Sequence, residues 1–235
     1  YLRCPKAFYY KYLERIQEPD IDESISVSSK TVGLVLHAIM QHLYQPYEGK
    51  MVQKSDVEAL MKDINDEHYW HSLEALQELQ SDELAEKTIL SCINNALYYD
   101  YHQAPFLYIA SEQNAFRSIY LPSRQEEINF FGKIDRIDIK ANHLRIIDYK
   151  TGSVKLSYSN MAKVFGYNES DDKSTVVRDK GNKFILQTLL YCWLLENNTL
   201  IQQVQNQHAN QLELAPHLFP VRQLQDETTE TCLHD

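Results

Sequence analysis

The stretch Gly132–Gly152, which reads GKIDRIDIKANHLRIIDYKTG, decides the fold of this 235-residue chain. Apolar and polar residues alternate in two runs, which predicts strands over Phe131–Ile139 and Leu144–Lys150. The connection between the runs contains Asn142, a residue that turns accept readily. The stretch therefore predicts a β-hairpin.

The pairing of that hairpin brings charged side chains together. A symmetric connection pairs the isoleucines of the two runs and sets Asp135 opposite Asp148, and the period of two keeps Lys150 on the face of Asp148. Directly opposed side chains have Cβ atoms about 4.5–5.5 Å apart. Two carboxylates at that separation repel each other unless a cation lies between them or one of them is protonated. The pattern therefore predicts a divalent metal site with a lysine beside it.

The residue types suit that chemistry. Asp135, Asp148 and the backbone carbonyl of Tyr149 supply the oxygen ligands that Mg²⁺ or Mn²⁺ prefers. Lys150 is then placed to orient a water or to stabilise charge on a phosphate. A surface hairpin with solvated charges is the alternative interpretation, and the isoleucine rows beside the carboxylates count against it.

The opposite face of the hairpin carries a second charged group. Arg136 and Asp138 lie on that face, and Asp138 is opposite Arg145. An ordinary cross-strand ion pair is predicted there.

Bulk composition narrows the class of protein. Hydrophobic residues make up 43% of the chain and charged residues 24%, which is typical of a globular domain without a membrane partner. The net charge of −10 argues mildly against a protein that coats nucleic acid by bulk electrostatics, but it permits an enzyme with a local basic groove. The four cysteines are far apart, which predicts a reducing, cytoplasmic location. Both ends look cut, so a domain excised from a longer chain is expected.

Two parts follow one another along the chain. Residues 1–104 are predicted to be helical and residues 105–235 to contain a sheet. The opening helix begins at Cys4–Pro5, and residues 153–183 form a long polar stretch that is expected to be functional. The further predicted helices are Thr31–Tyr44, Lys54–His71, Asp82–Tyr101 and Phe184–Glu196. The predicted edge strands are Leu200–Val204 and His217–Val221.

The hairpin motif also carries a family resemblance. The pattern G-x-x-D-R-x-D followed by I-D-Y-K-T-G resembles the PD-(D/E)XK nuclease superfamily, and specifically the RecB-type nuclease domains of RecB and AddB helicase-nucleases. Further motifs of that family occur in the family's order. They are Y-x-x-C-P-x-x-F at Tyr1, Cys4, Pro5 and Phe8, G-x-x-x-H at Gly33 and His37, a strand glutamate at Glu112, and Q-x-x-x-Y at Gln187 and Tyr191.

The resemblance implies the fold. It predicts an α/β domain with a restriction-endonuclease-like core, in which helices flank a mixed central sheet and the N-terminal half is helical. The whole chain, residues 1–235, is then one RecB-like nuclease domain.

The resemblance also implies roles for residues outside the hairpin. His37 becomes a metal ligand beside Asp135 and Asp148, and Glu112 contributes through a bound water. Without the resemblance, His37 is more often a helix-packing histidine. Gly33 is expected to let its helix approach the sheet.

The remaining motif lies on the predicted C-terminal helix. Gln187 and Tyr191 are four residues apart and therefore share one helical face. The resemblance implies that they contact the attacking water, a phosphate or DNA. Polar tips on a core helix are the alternative.

The implied activity is a metal-dependent DNA nuclease, expected to be an exonuclease that processes DNA ends in recombination and repair. Lys155, Lys163 and Lys183 are expected to contact the phosphates of the DNA. No glycine-rich phosphate loop occurs, so a helicase motor would lie elsewhere in the polypeptide or on a partner subunit. A degenerate module that binds DNA or a helicase without cutting is the alternative, and the intact Asp/Asp/Lys set argues against it.

Cys4 raises one further question. Several relatives hold an iron–sulfur cluster with one cysteine in the opening helix and three near the C-terminus. Only Cys192 and Cys232 follow the hairpin in this chain. No cluster is therefore expected, and Cys4 is predicted to be a buried thiol.

Overall fold

A computed structural model describes residues 27–152, 180–207 and 212–224, together with the isolated residues 6, 9, 10, 14, 154, 164 and 231. Most of the helix predicted to begin at Cys4 and most of the polar stretch predicted over residues 153–183 lie outside the described residues. The last four residues of that stretch, 180–183, belong to a helix. The predictions for Cys4, Lys155 and Lys163 therefore stay predictions.

Helices dominate the first part of the described chain. The first helix begins after Ser28, whose hydroxyl accepts a hydrogen bond from the Thr31 amide. The helix predicted over residues 54–71 is instead two helices, because Asn65 ends the first and Asp66 caps the second by accepting from the Tyr69 amide. Short 3₁₀ turns link these elements. The helices are α1 (Ser29–Tyr44), α2 (Lys54–Ile64), α3 (Glu67–Ser72) and α4 (Glu83–Gln103).

The described strands form one five-stranded sheet, with the strands in chain order. Neighbouring strands are antiparallel except for the last pair, which is parallel. The predicted mixed sheet with flanking helices is thereby confirmed. The first strand was not predicted, since it has only three residues and lies within the part expected to be helical. The strands are β1 (Lys50–Val52), β2 (Phe106–Leu121), β3 (Glu126–Lys140), β4 (His143–Lys150) and β5 (Glu213–Pro220).

The hairpin of β3 and β4 has the predicted register. Ile137 pairs with Ile146, and Ile139 pairs with Leu144. Both strands extend further than predicted, so the turn contains only residues 141–142, and Ala141 has a left-handed φ of 52°. The alternating pattern and the short connection were sufficient to define this pairing.

The C-terminal part differs from the prediction at one element. Residues 200–204 were expected to form an edge strand, but they belong to a helix. That helix buries Ile201 and Val204, which are three residues apart, and the Asn198 side chain accepts from the Leu200 amide at its start. The helices are α5 (Lys180–Leu195) and α6 (Thr199–Gln207).

The predicted strand at residues 217–221 is found within β5, at an outer position of the described sheet. Pro216 and Pro220 suit that position, because a proline cannot donate a ladder hydrogen bond.

The sheet is covered on both faces. Helices α1, α2 and α4 pack over one face around buried residues such as Leu36, Ile93 and Phe106. Helices α5 and α6 pack over the other face against the isoleucines of β3 and β4. Side chains of these helices can therefore reach the sheet from either face.

The ion pair predicted between Asp138 and Arg145 is part of a larger buried network. Arg145 Nε lies 2.5 Å from Asp138 Oδ1, and Arg136 Nη2 lies 2.6 Å from Asp138 Oδ2. Arg136 Nη1 also lies 2.6 Å from Asp100 Oδ2 on α4, and the Tyr44 hydroxyl of α1 donates to that same oxygen. Each of the four charged residues is at most 3% exposed. The network joins the sheet to the helical part.

None of the described helices combines the length and the apolar content that crossing a membrane requires.

Candidate metal centre and active site

The alternation of side chains along β3 breaks at Asp135. Ile134 and Ile137 both pack into the core beneath α5, although a strict period of two would send them to opposite faces. Asp135 and Arg136 both turn toward the other face, where they meet His37 of α1 and Asp100 of α4. Two neighbouring residues of β3 therefore face the N-terminal helices.

This break corrects the predicted arrangement of the two aspartates. The regular ladder of β3 and β4 stops at Arg136 and Ile147, one step before Asp135 and Asp148. The same register continued by one step would set Asp135 opposite Asp148, but the Asp135 side chain turns to His37 of α1. Its Oδ2 accepts a hydrogen bond of 2.7 Å from the Tyr149 backbone amide, where the two strands part.

A matching irregularity on β2 presents Glu112. The register shifts between Tyr108 and Ala110, and Glu112 has a φ of 50°, in the left-handed region that non-glycine residues rarely adopt. The Glu112 carboxylate thereby turns to the same face as Asp135. Strained backbone of this kind is concentrated at functional sites.

Three side chains meet at this point. His37 Nδ1 lies 3.3 Å from Asp135 Oδ1 and 3.5 Å from Glu112 Oε1. One ligand atom of each residue lies within 4.8 Å of the others, so the three side chains can surround a metal ion. Lys133 Nζ lies 2.5 Å from the second Glu112 oxygen. The described structure thus brings together the predicted ligands His37, Glu112 and Asp135.

The charges at this cluster favour a cation. Burial disfavours the imidazolium, but hydrogen bonds to Asp135 and Glu112 outweigh it and raise the pKa of His37 to about 10. Burial works against the Glu112 carboxylate, yet His37 and Lys133 hold the pKa of that carboxyl below its usual value. Without a metal, a proton on His37 supplies the positive charge between the two carboxylates.

Asp148 and Lys150 lie beside this cluster on the α5 side of the sheet. Lys150 Nζ is 2.6 Å from Asp148 Oδ2, and the Asp148 side chain is 2% exposed. Lys150 is the only partner that the described residues give to this buried oxygen. Burial, followed by the negative charge of Asp135, raises the pKa of Asp148 to about 6 despite the nearby Lys150. The site therefore holds more negative charge than its own donors satisfy.

The predicted Q-x-x-x-Y residues reach Lys150. Lys150 donates to Gln187 Oε1 over 3.3 Å, and Gln187 Nε2 donates to the Tyr191 hydroxyl over 2.6 Å. Burial raises the pKa of Tyr191 to about 12, so its hydroxyl stays protonated at neutral pH. Both side chains thus position Lys150 in addition to packing on a core helix.

Two further residues predicted to be functional, Lys183 and Gly33, do not contact the cluster residues in the ways described above. Lys183 is exposed near the start of α5, with Nζ 5.8 Å from the centre of the Phe184 ring. Gly33 was expected to allow a close approach of its helix to the sheet. Among the described residues, a Cβ at that position would meet only the Thr151 hydroxyl, at 3.9 Å, so their packing does not require a glycine there.

Gly132 has a role that the sequence interpretation missed. A Cβ at Gly132 would lie 2.8 Å from Tyr191 Cε1 and 2.8 Å from Leu194 Cδ1. These distances are shorter than real contacts, so the absence of a side chain on β3 lets Tyr191 reach its place. The glycine that opens the G-x-x-D-R-x-D motif was the sequence signal for this role.

We expect Gly132→Ala to displace Tyr191 and, through Gln187, to disturb Lys150. We expect turnover in the nuclease reaction that the motifs imply to fall by roughly 10- to 100-fold, because a small misplacement of reacting groups lowers the reaction rate. Metal affinity should be retained. Steady-state kinetics and Mn²⁺ calorimetry check this. Gly33→Ala is the matched control, since that Cβ has room, and it should leave turnover within about 3-fold of the wild type. Equal turnover of Gly132→Ala and wild type would contradict the positioning role.

Comparison with known proteins gives two matches. The sequence model of the PD-(D/E)XK nuclease superfamily matches residues 1–227. The chain is also 27% identical over 176 residues to a protein of Carboxydothermus hydrogenoformans that is named as a subunit of an ATP-dependent helicase/deoxyribonuclease. That alignment covers 67% of this chain but only 16% of the relative.

Proposed function

Because the chain belongs to the PD-(D/E)XK nuclease superfamily, we propose that it hydrolyses phosphodiester bonds of DNA with the help of Mg²⁺ or Mn²⁺. The observation that carries the proposal is the state of Asp148. The carboxylate is buried in the field of Asp135, and Lys150 is the only described partner of its Oδ2. A carboxylate in this state is a strong acceptor for a cation.

The side chains present fit such a metal. Within the cluster, Asp135 and Glu112 offer carboxylate oxygens and His37 offers a nitrogen. Asp148 adds a carboxylate beside the cluster, and the set suits Mn²⁺ and Mg²⁺. The Tyr149 carbonyl is a further candidate, because the N–H and C=O of a strand residue point to the same side and its amide already reaches Asp135. A bound ion would polarise a phosphoryl oxygen and acidify a water.

The remaining residues of the site have separate roles around the phosphate. Lys150, anchored between Asp148 and Gln187, places a positive charge where negative charge develops on the phosphoryl group. Gln187 holds the lysine, and Tyr191 accepts the Gln187 amide. His37 must give up its proton before its nitrogen can bind a metal, so metal binding releases that proton.

The biological setting is also part of the proposal. The chain acts as an exonuclease in the processing of DNA ends, together with a helicase motor in the same polypeptide or on a partner subunit. The printed name of the relative, which joins helicase and deoxyribonuclease, supports this context. We further propose that residues 1–235 form one nuclease domain, with a boundary near residue 104 between its helical and catalytic parts, and that it acts in the cytoplasm.

A non-catalytic module that grips DNA or a helicase is the second candidate. The G-x-x-D-R-x-D and I-D-Y-K-T-G motifs contain Asp135, Asp148 and Lys150. Lys150 also contacts both Asp148 and Gln187. A degenerate site would have no need for this arrangement, so the catalytic function is favoured.

A degradation assay tests the function. We expect the protein with Mn²⁺ or Mg²⁺ to degrade linear single-stranded or duplex DNA and to spare closed circles, with no activity in EDTA. Lys150→Ala should lower turnover by roughly 10²–10⁴-fold, because it removes the charge that faces the phosphate. Lys87→Ala, a change at a lysine that is 75% exposed on α4, is the control.

Mn²⁺ calorimetry, combined with DNA binding and cleavage, separates the two candidate functions. The wild type and Lys150→Ala should bind Mn²⁺. Binding of DNA without any cleavage by the wild type would favour the non-catalytic module. Rapid cutting of closed circles would show an endonuclease in place of the exonuclease.

A further inference from the structure

An exposed aromatic pair lies on the ribbon formed by the outer parts of β2 and β3. Phe116 and Phe131 pair across the two strands, with ring centroids 4.9 Å apart and ring planes inclined by 45°. Phe131 is 77% exposed and Phe116 is 55% exposed. Large aromatic rings that contact each other and remain exposed to solvent form an apolar patch, and such patches mark interaction sites.

The pair faces the same side of the sheet as the metal ligands. A Cβ on Gly132 would touch Tyr191 of α5, and Ile134 packs into the core beneath α5. Because side chains alternate along a strand, Phe131 and Lys133 point to the opposite side, as Asp135 does. Phe131 lies four residues before Asp135, which corresponds to roughly 14 Å along the strand.

Lys133 connects the rings to the metal centre. Its side chain is 58% exposed, and its Nζ lies 2.5 Å from Glu112, a candidate metal ligand. The order along this face is therefore aromatic pair, cation, metal site. A strand of nucleic acid has the complementary order, with bases that stack on aromatic rings and phosphates that meet cations.

From this order, and resting on the proposed nuclease function, we propose that Phe116 and Phe131 form a base-stacking platform for an unpaired DNA strand. The platform holds one or two bases while the backbone passes Lys133 and enters the metal site. Duplex DNA cannot use it, since paired bases do not expose their faces. The substrate class is thus a single strand or a single-stranded end.

Stacking suits the charge of this protein. With a net charge of −10, the chain gains little from bulk attraction to phosphate. Stacking on an aromatic ring is instead largely independent of charge and of base identity. Tyr120, on the same face and 61% exposed, pairs across the strands with Glu127, whose carboxylate repels a phosphate. The platform therefore ends before Tyr120.

Fluorescence anisotropy with labelled oligothymidylate in EDTA tests the platform without any hydrolysis. Phe131→Ala should weaken binding about 10-fold, within the range found for base–aromatic stacking, and Phe116→Ala should act in the same direction. The wild type should bind a strand of the same length with abasic positions about 10-fold more weakly than the normal strand. Phe131→Ala should bind the abasic strand and the normal strand equally well. Tyr120→Ala is the matched control and should stay within about 2-fold.

Several outcomes overturn the platform. They are no binding of oligothymidylate by the wild type, equal binding by Phe131→Ala, or equal affinity for the abasic strand. A loss in Phe131→Ala that is the same for abasic and normal strands points to a protein-docking surface and also counts against it. Thermal unfolding of each variant confirms that the fold is intact.

Hydrolysis of bis(4-nitrophenyl) phosphate with Mn²⁺ separates this proposal from the nuclease function. This phosphodiester has no base, so Phe131→Ala should hydrolyse it at the wild-type rate. If the wild type binds thymidylate in a base-dependent way but cleaves neither compound, the platform stands and the nuclease function fails. If both compounds are cleaved and Phe131→Ala behaves as wild type on DNA, the platform fails alone.

Discussion

Asp148→Asn is expected to abolish DNA cleavage while making the metal-free protein more stable. The carboxylate is buried, Lys150 is the only described partner of its Oδ2, and Asp135 adds a second negative charge nearby. The amide keeps the shape and removes the charge that a metal needs. We expect at least about a 10³-fold loss of turnover, since an interaction required in the transition state disappears.

The gain in stability should depend on pH. The pKa of Asp148 rises from its ordinary value to about 6 on folding, so its protonated form is favoured in the native protein. The stabilisation is complete below the unfolded pKa and is lost as the pH rises through about 6. Asp148→Asn and wild type should therefore be similar near pH 4. The variant should be more stable by about 1–3 kcal/mol at pH 8.

Thermal unfolding in EDTA across that pH range measures the difference. Glu58→Gln, at an exposed glutamate of α2, controls for the loss of any single carboxylate. A variant that is less stable than wild type at pH 8 would show that the Asp148 carboxylate is well satisfied without metal. Added Mn²⁺ should raise the unfolding temperature of the wild type and not of Asp148→Asn.

Arg136→Met should cause the largest loss of stability of any change considered for this chain. Arg136 is 1% exposed and lies between Asp100 and Asp138, neither of which is exposed at all. Removing one partner of a buried charged group leaves the others uncompensated, at a cost of about 3–5 kcal/mol. Since whole domains are stable by only about 5–15 kcal/mol, the effect should be large in urea unfolding.

The matched control is Lys87→Met, which breaks an exposed ion pair with Glu83 on α4. Exposed pairs of this kind contribute about 0.5 kcal/mol or less. If Arg136→Met unfolds within about 1 kcal/mol of the wild type, water or a neighbouring group compensates the two aspartates and the network is not a main source of stability.

Much of the fold could be predicted from the sequence because it is written in local patterns. Two alternating runs around a short connection defined the hairpin, and the pairing of Ile137 with Ile146 followed. The α5 helix was predicted from Phe184, and the ordered motifs placed Gln187 and Tyr191 on one of its faces. The contact of Gln187 with Lys150 was not predicted. Each of these predictions depends on neighbours along the chain or on a fixed spacing.

The features that were not predicted depend on contacts between residues distant in sequence or on elements too short to leave a pattern. After the break in alternation at Asp135, Asp135 meets His37 of α1 and Arg136 meets Asp100 of α4, and both helices are distant in sequence. The three-residue β1 is too short for a periodic signal. Residues 200–204 fit a strand and a helix equally well, and burial of Ile201 with Val204 decided for the helix.

The left-handed backbone at Glu112 implies a conflict between selection for stability and selection for activity. A non-glycine residue at such a φ costs on the order of 1 kcal/mol, and glycine would relieve it. Glycine would also remove the carboxylate that meets His37 and Lys133. A search for thermostable variants should therefore recover glycine at position 112 whenever activity is left out of the screen, and lose it when activity is included.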